Sequence, residues 1–179
     1  GISAESNADG AVVNMIPKEG ANTFAGSFLG LWTGEKLGSN NLTEELRGRG
    51  LTTSSKVLEI YDSTFTLGGP IRRDRLWFFS SLRWWGNRHE MAGMFWNKTQ
   101  GTPFWTPAPT RPADRYQWYE SKAIRLTWQA SSRHKINLFS DFADSCICRA
   151  LGAVGQPPET GNAFHFRPSR LHQVTWSAP

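Results

Sequence analysis

No stretch of the 179 residues comes near the roughly 20 consecutive apolar side chains that a helix needs to cross a bilayer. Long helical periodicity is missing too. The best segment, Asn41 to Arg49 (NLTEELRGR), has Thr43 as a cap and acidic residues in its first turn, and is bounded by Gly48 and Gly50. It supports one isolated turn of helix in a loop. Cysteine is nearly absent, with only Cys146 and Cys148, spaced C-x-C. A direct bridge at that spacing strains the backbone, and a metal site would need further Cys or His at ligand spacing. The pair therefore reads as two loop thiols without a chemical role, or as thiols with a partner cysteine outside these residues. Histidines are few and scattered: His89, His134, His165 and His172 lack the nucleophile, base and orienter set that catalysis requires. Each reads as a loop or surface residue, and no enzyme, cofactor or resident metal is expected. Clustered charge is also missing. The formal charge is +5, but the basic residues are spread along the chain, which argues against nucleic-acid binding. Finally, aliphatic residues are sparse. Only 39% of the chain is hydrophobic, yet it carries 9 Trp and 11 Phe, a surplus suited to interfaces with lipid headgroups or ligands. The first residue is Gly, not Met, and nothing in the opening residues resembles a signal peptide. Both ends read as cut, so a fragment is expected.

Strand signals fill the space that helices leave. Ala11 to Ile16 is a β-branched run closed by Pro17, and Thr23 to Trp32 follows it. Further runs cover Lys56 to Leu67, Arg75 to Trp85, Lys122 to Ala130, Lys135 to Asp144 and Leu171 to Trp176. Short turns are expected after Leu67 (GGPIRRD) and after Ala130 (SSRH), and long loops after Trp32, Trp85 and Asp144. Long structureless loops are uncommon in compact soluble domains but normal on the outer side of membrane β-barrels.

The faces follow the same logic. Ile124, Leu126 and Trp128 share one side of their strand, and Arg125, Thr127 and Gln129 share the other. Leu76, Phe78, Leu82 and Trp84 oppose Arg75, Ser81 and Arg83 in the same way. An apolar face on strands of about nine to eleven residues fits a bilayer span, with Trp as the interfacial girdle. A soluble β-sandwich or barrel would show the same alternation.

Two motifs add a resemblance. Asp9 to Ser27, DGAVVNMIPKEGANTFAGS, resembles the plug-to-barrel junction of TonB-dependent outer-membrane receptors, where a run like GGVVNVVTKSGTNxFHGS ends the plug and opens the first barrel strand. Gly10, Val13, Asn14, Lys18, Gly20, Asn22, Phe24, Gly26 and Ser27 match it, while Asp9, Ala11, Pro17 and Ala25 depart from it. FTLGGPIRRDRLWFF resembles the FTLGGPIxKDKLFFF run of the Oar-like receptors, those associated with a carboxypeptidase-regulatory-like domain.

The resemblance implies an all-β fragment: residues 1–22 as the end of the plug and residues 23–179 as the N-terminal part of an incomplete barrel. The whole barrel would have about 22 strands, of which this chain would supply about six or seven. GGPIRRD would be a periplasmic turn in which Gly68 and Gly69 permit tight or positive-φ backbone and Pro70 fixes it. The intact protein would sit in the outer membrane of a Gram-negative bacterium, contacting its lipid. It would be driven through the TonB complex by an N-terminal part absent here, and would take up a scarce extracellular ligand (an iron chelate, cobalamin, saccharide or peptide). Ligand-contact candidates are Trp96, Phe104, Trp105, Arg111 and Arg115. Lumen-facing candidates are Arg83, Arg125, Thr127 and Gln129. The rival reading is a small secreted β-domain that binds carbohydrate through its aromatic residues, and in either case no nucleic acid is expected.

Overall fold

The computed structural model describes residues 18–51, 53–150 and 156–178. The expected strand at Ala11 to Ile16 lies outside them. Six strands run in chain order: β1 Ala25–Gly34, β2 Lys56–Arg72, β3 Leu76–Asn97, β4 Pro107–Gln129, β5 Lys135–Ala150 and β6 Asn162–Ser177. They form one open antiparallel sheet in the order β1-β2-β3-β4-β5-β6, a plain meander whose two edges are β1 and β6. Among the described residues helix is confined to α1, Glu44–Gly48, and two single 3-10 turns. Thr43 caps α1 as expected, its hydroxyl accepting from the Leu46 amide at 3.3 Å.

Connections differ between the two ends of the sheet. At one end, β2 and β3 are joined across residues 73–75, and β4 and β5 across 130–134. The Gln129 amide donates to the Arg75 carbonyl at 2.7 Å and ties these two turns together. We call this the turn end. The opposite, loop end carries residues 35–51 and 53–55, which include α1, together with 98–106 and 156–161.

Three expectations need correction. First, the loop expected over 86–115 is mostly strand, because β3 continues to Asn97 and β4 already starts at Pro107. Register shifts between Glu90 and Phe95, and between Phe95 and Asn97, absorb the irregularity, and the Gly93 backbone sits at φ 74°. Bulges of this kind let a strand carry Gly and Pro that would break a regular ladder. Second, Gly68, Gly69 and Pro70 are not the turn. They belong to β2, opposite Phe79, Phe78 and Trp77, and the positive φ of the turn is at Asp74, 61°. Gly69 answers a different demand, since a Cβ there would lie 2.3 Å from the Phe24 ring. Third, Cys146 and Cys148 are not loop thiols but a disulfide within β5. Gln117 faces Ile147 while Tyr116 faces Arg149, so Cys148 bulges out of the ladder and the two Cα atoms come within 5.0 Å. That separation lies inside the range a disulfide spans.

Among the described residues the sheet has no second layer, and the distribution of side chains is inverted relative to a soluble domain. The buried hydrophobic residues among those described are small or slender: Met94, Ala108, Ala113, Ala143 and Cys146. Large apolar side chains stand exposed instead. The register puts Phe28, Phe65 and Leu82 in one row of a single face, Ile124 in the row beside it, and Leu76, Trp128, Ile136 and Trp176 in a row near the turn end. Ile124 is 43% exposed and Trp128 50%, whereas Arg125 and Thr127 on the opposite face are 9% and 2% exposed.

The charged border of the apolar face steps down across the sheet. On β1 the apolar run reaches Trp32, which the register aligns with Tyr61, Gly86 and Trp118. On β4 charge already begins at Lys122, level with Leu82, and on β6 Arg170 stands at that same level opposite Phe142. Strands tilted against a bilayer plane produce such stepping.

Candidate functional site on the two faces of the sheet

The polar face is built as a series of cross-strand pairs. Arg83 on β3 donates to Asp62 on β2 through Nε and Nη2 at 3.1 and 2.7 Å, a two-point clasp. Ser121 bonds Asp141 at 2.7 Å, and Thr127 bonds Asn137 at 3.0 Å. Asn137 in turn donates to Thr175 at 3.2 Å, extending the chain of contacts to β6.

Residues 18–22 lie on this face at the turn end and act as a bracket, while the Phe24 ring reaches Phe78 on the apolar face, 6.3 Å between ring centres. The Glu19 carboxylate accepts from Arg125 at 2.7 Å on one oxygen and from Lys135 at 2.8 Å on the other, joining β4 and β5. Asn22 accepts from the Asp74 amide at 3.0 Å and from Trp77 Nε1 at 2.7 Å, and donates to the Asp74 carboxylate at 2.6 Å. Gly20 passes so close to β3 that a Cβ would lie 2.3 Å from the Phe78 carbonyl oxygen.

A second cluster forms at the loop end, around Asp114. Its side chain is 6% exposed and is held between two arginines. Arg88 Nε donates to one oxygen at 2.5 Å, and Arg149 donates to the other. Trp96, Arg111 and Pro112 complete the wall of a cavity of about 450 Å³, with the Arg149 guanidinium 6.0 Å from the Trp96 ring centre. Three arginines thus line the cavity with one carboxylate, which leaves the lining with an excess of positive charge. The hydrogen bond to Asp114 raises the Arg88 pKa, outweighing the opposing effect of burial.

The sequence candidates divide accordingly. Trp96 and Arg111 meet in the cavity. Phe104 and Trp105 stand apart on the 98–106 loop, 74% and 48% exposed, and Arg115 is an exposed strand residue opposite His89. Arg83, Arg125 and Thr127 do share the polar face, while Gln129 caps its turn by donating to the Ser131 carbonyl at 2.7 Å. Of the histidines read as loop or surface residues, His89 lies on β3, His165 and His172 are exposed on β6, and His134 is in a connection, stacked on Trp176. No group of three or more His, Cys, Asp or Glu is placed to hold a metal among the described residues. Glu19, Arg88, Asp114 and Arg149 escaped the sequence reading, because only the register brings them to their partners.

Among known proteins the likeness is to a transporter. A 73-residue match, 41% of this chain, is 35% identical to the TonB-dependent transporter Oar of Myxococcus xanthus. The match spans 7% of that relative's length. No protein-family profile matches the chain, and no solved structure does. This partial, transporter-like kinship accords with an all-β sheet of long antiparallel strands, the element from which membrane barrels are made.

Proposed function

We propose that this chain is a section of the wall of a TonB-dependent outer-membrane transporter, with residues 1–22 ending its plug and residues 23–179 supplying the first barrel strands. One observation carries the reading: an exposed apolar face continuous over six strands, opposite a polar face on which residues 18–22 are bracketed. In water such a face would be an aggregation surface, and in a bilayer it is the required exterior. From Leu76 to Trp84 the apolar run on β3 rises by about 20 Å at about 3.3 Å per residue and a tilt of about 40°. Trp128 and Trp176 then mark the periplasmic border, and the long strands carry the loop end into the extracellular space.

Arg83, Arg125 and Thr127 would face the lumen, and Gln129 its periplasmic rim. The scarce solute is met from outside, and energy reaches the plug through the TonB complex. Trp96 and Arg111 contribute to an extracellular cavity that favours anionic groups. The geometry lends no specific support to a secreted carbohydrate-binding domain, since Phe104 and Trp105 do not converge with Trp96.

The test is made on the full-length protein that carries this sequence. It should fractionate with the outer membrane, and brominated lipid should quench Trp128 and Trp176 more than aqueous iodide does. Recovery as a soluble protein with these tryptophans open to iodide would end the reading.

A further inference from the structure

The apolar face does not end in a neutral edge at its loop side. Lys122 on β4 and Arg170 on β6 flank Phe142 of β5 in a single row, and Arg167 lies three residues before Arg170, at the register shift between Ala143 and Ser145. The Arg170 guanidinium sits 5.1 Å from the Phe142 ring centre, and that of Arg167 sits 5.2 Å from the Trp118 ring centre. Two carboxylates accompany them. Glu120 pairs with Lys122, and Asp144 is 3.7 Å from Arg167 and 3.6 Å from Arg170. These acids are recessed: Glu120 and Asp144 side chains are 26% and 30% exposed, against 57% for Lys122, 58% for Arg167 and 38% for Arg170. The patch therefore presents cations outward and keeps its anions beneath them.

We propose that Lys122, Arg167 and Arg170 form a docking site for the phosphate group of a membrane lipid on the outward wall of the sheet. The inference rests on the membrane reading above and adds to it a ligand, its chemistry and its place. The ligand follows from position and charge together. The three cations occupy the level at which large apolar side chains give way to charge, which is where a lipid's hydrocarbon meets its headgroup. Arginine forks match the oxygens of a phosphate, and lysine adds a point charge. Phe142 and Trp118 keep the guanidinium planes flat against the wall and so pre-order them. Acyl chains below would lie along Ile124, Leu138 and Val174, which are all exposed.

The experiment uses the full-length protein purified in detergent, with lipid A as the phosphorylated probe and phosphatidylcholine as the comparison. Native mass spectrometry counts retained lipid, and inorganic phosphate is added as a competitor. The wild type should retain lipid A over phosphatidylcholine, and K122Q/R167Q should weaken that retention about tenfold, the loss expected for charge-assisted contacts. R167K, which keeps the charge, should fall between them. Equal retention of both lipids, or unchanged retention by K122Q/R167Q, overturns the proposal while leaving the transporter reading in place. Displacement by inorganic phosphate at concentrations equal to those of lipid A also overturns it, because the patch would then be a site for free anions. A protein that never enters a membrane fraction removes both readings together.

Discussion

At the residue scale, two glycines and a glutamate define how the start of the described chain is fastened. Gly20 approaches β3 at its backbone, with the Phe78 carbonyl oxygen 2.3 Å from where a Cβ would stand. Gly69 approaches only the Phe24 side chain, which is exposed and able to turn aside. Gly20→Ala should therefore destabilise the folded protein by about 1–3 kcal/mol, as overpacking against fixed atoms does, and Gly69→Ala clearly less. Urea midpoints of the two variants in the full-length protein test the order; a larger loss for Gly69→Ala would contradict the structure. Glu19 is the residue on which Arg125 and Lys135 converge. Glu19→Gln removes its charge and leaves the largely buried Arg125 less well compensated, a situation that typically costs a few kcal/mol when complete. The expected outcome is faster amide exchange over residues 18–24 with the sheet amides unchanged. Unaltered exchange there would show that the bracket does not depend on the charge.

At the scale of elements, alternation makes opposite demands of neighbouring positions on β4. An arginine placed at Ile124 enters the exposed apolar face and should cost about 2–4 kcal/mol if that face meets the bilayer middle. An arginine replacing Gln173, on the opposite face of β6 against Phe139, should be tolerated. Unfolding of vesicle-inserted protein measures both, and equal effects would mean that the faces are not distinguished by lipid. The Cys146–Cys148 disulfide spans a sequence separation of 2. Chain-entropy stabilisation grows with the size of the closed loop, so reduction should relax the β5 bulge without a large shift in Tm. The legibility of these elements was uneven. Alternation located the strands and assigned Ile124 and Arg125 to opposite sides, because period-2 patterning is a local property. The extent of β3 and β4 was not legible, because their Gly93, Pro107 and Pro112 read as loop punctuation and are accommodated only by bulges against a neighbouring strand.

At the scale of the whole molecule, β1 and β6 are open edges. Unpaired backbone groups cannot be left in hydrocarbon, so a spanning sheet must close on itself or on further strands. If the proposed transporter reading holds, the 179-residue chain expressed by itself should yield aggregate rather than an inserted, heat-modifiable barrel, while the full-length protein should give the latter. A soluble monomer of the isolated chain, with its apolar face dry against a second layer, would point to a different architecture.

Local sequence alone sufficed for an all-β protein, for strands with one apolar and one polar face, for Thr43 as the cap of α1, and for short turns and longer connections at opposite ends. Each of these follows from residues within a few positions of one another, where backbone propensity and side-chain alternation act directly. Only the tertiary structure decided that Cys146 and Cys148 join, that Gly69 serves a ring rather than a turn, that Glu19 spans two strands, and that Arg88, Arg111 and Arg149 gather near one carboxylate. Those outcomes depend on register, which aligns residues distant in the chain; a single bulge shifts every partner beyond it.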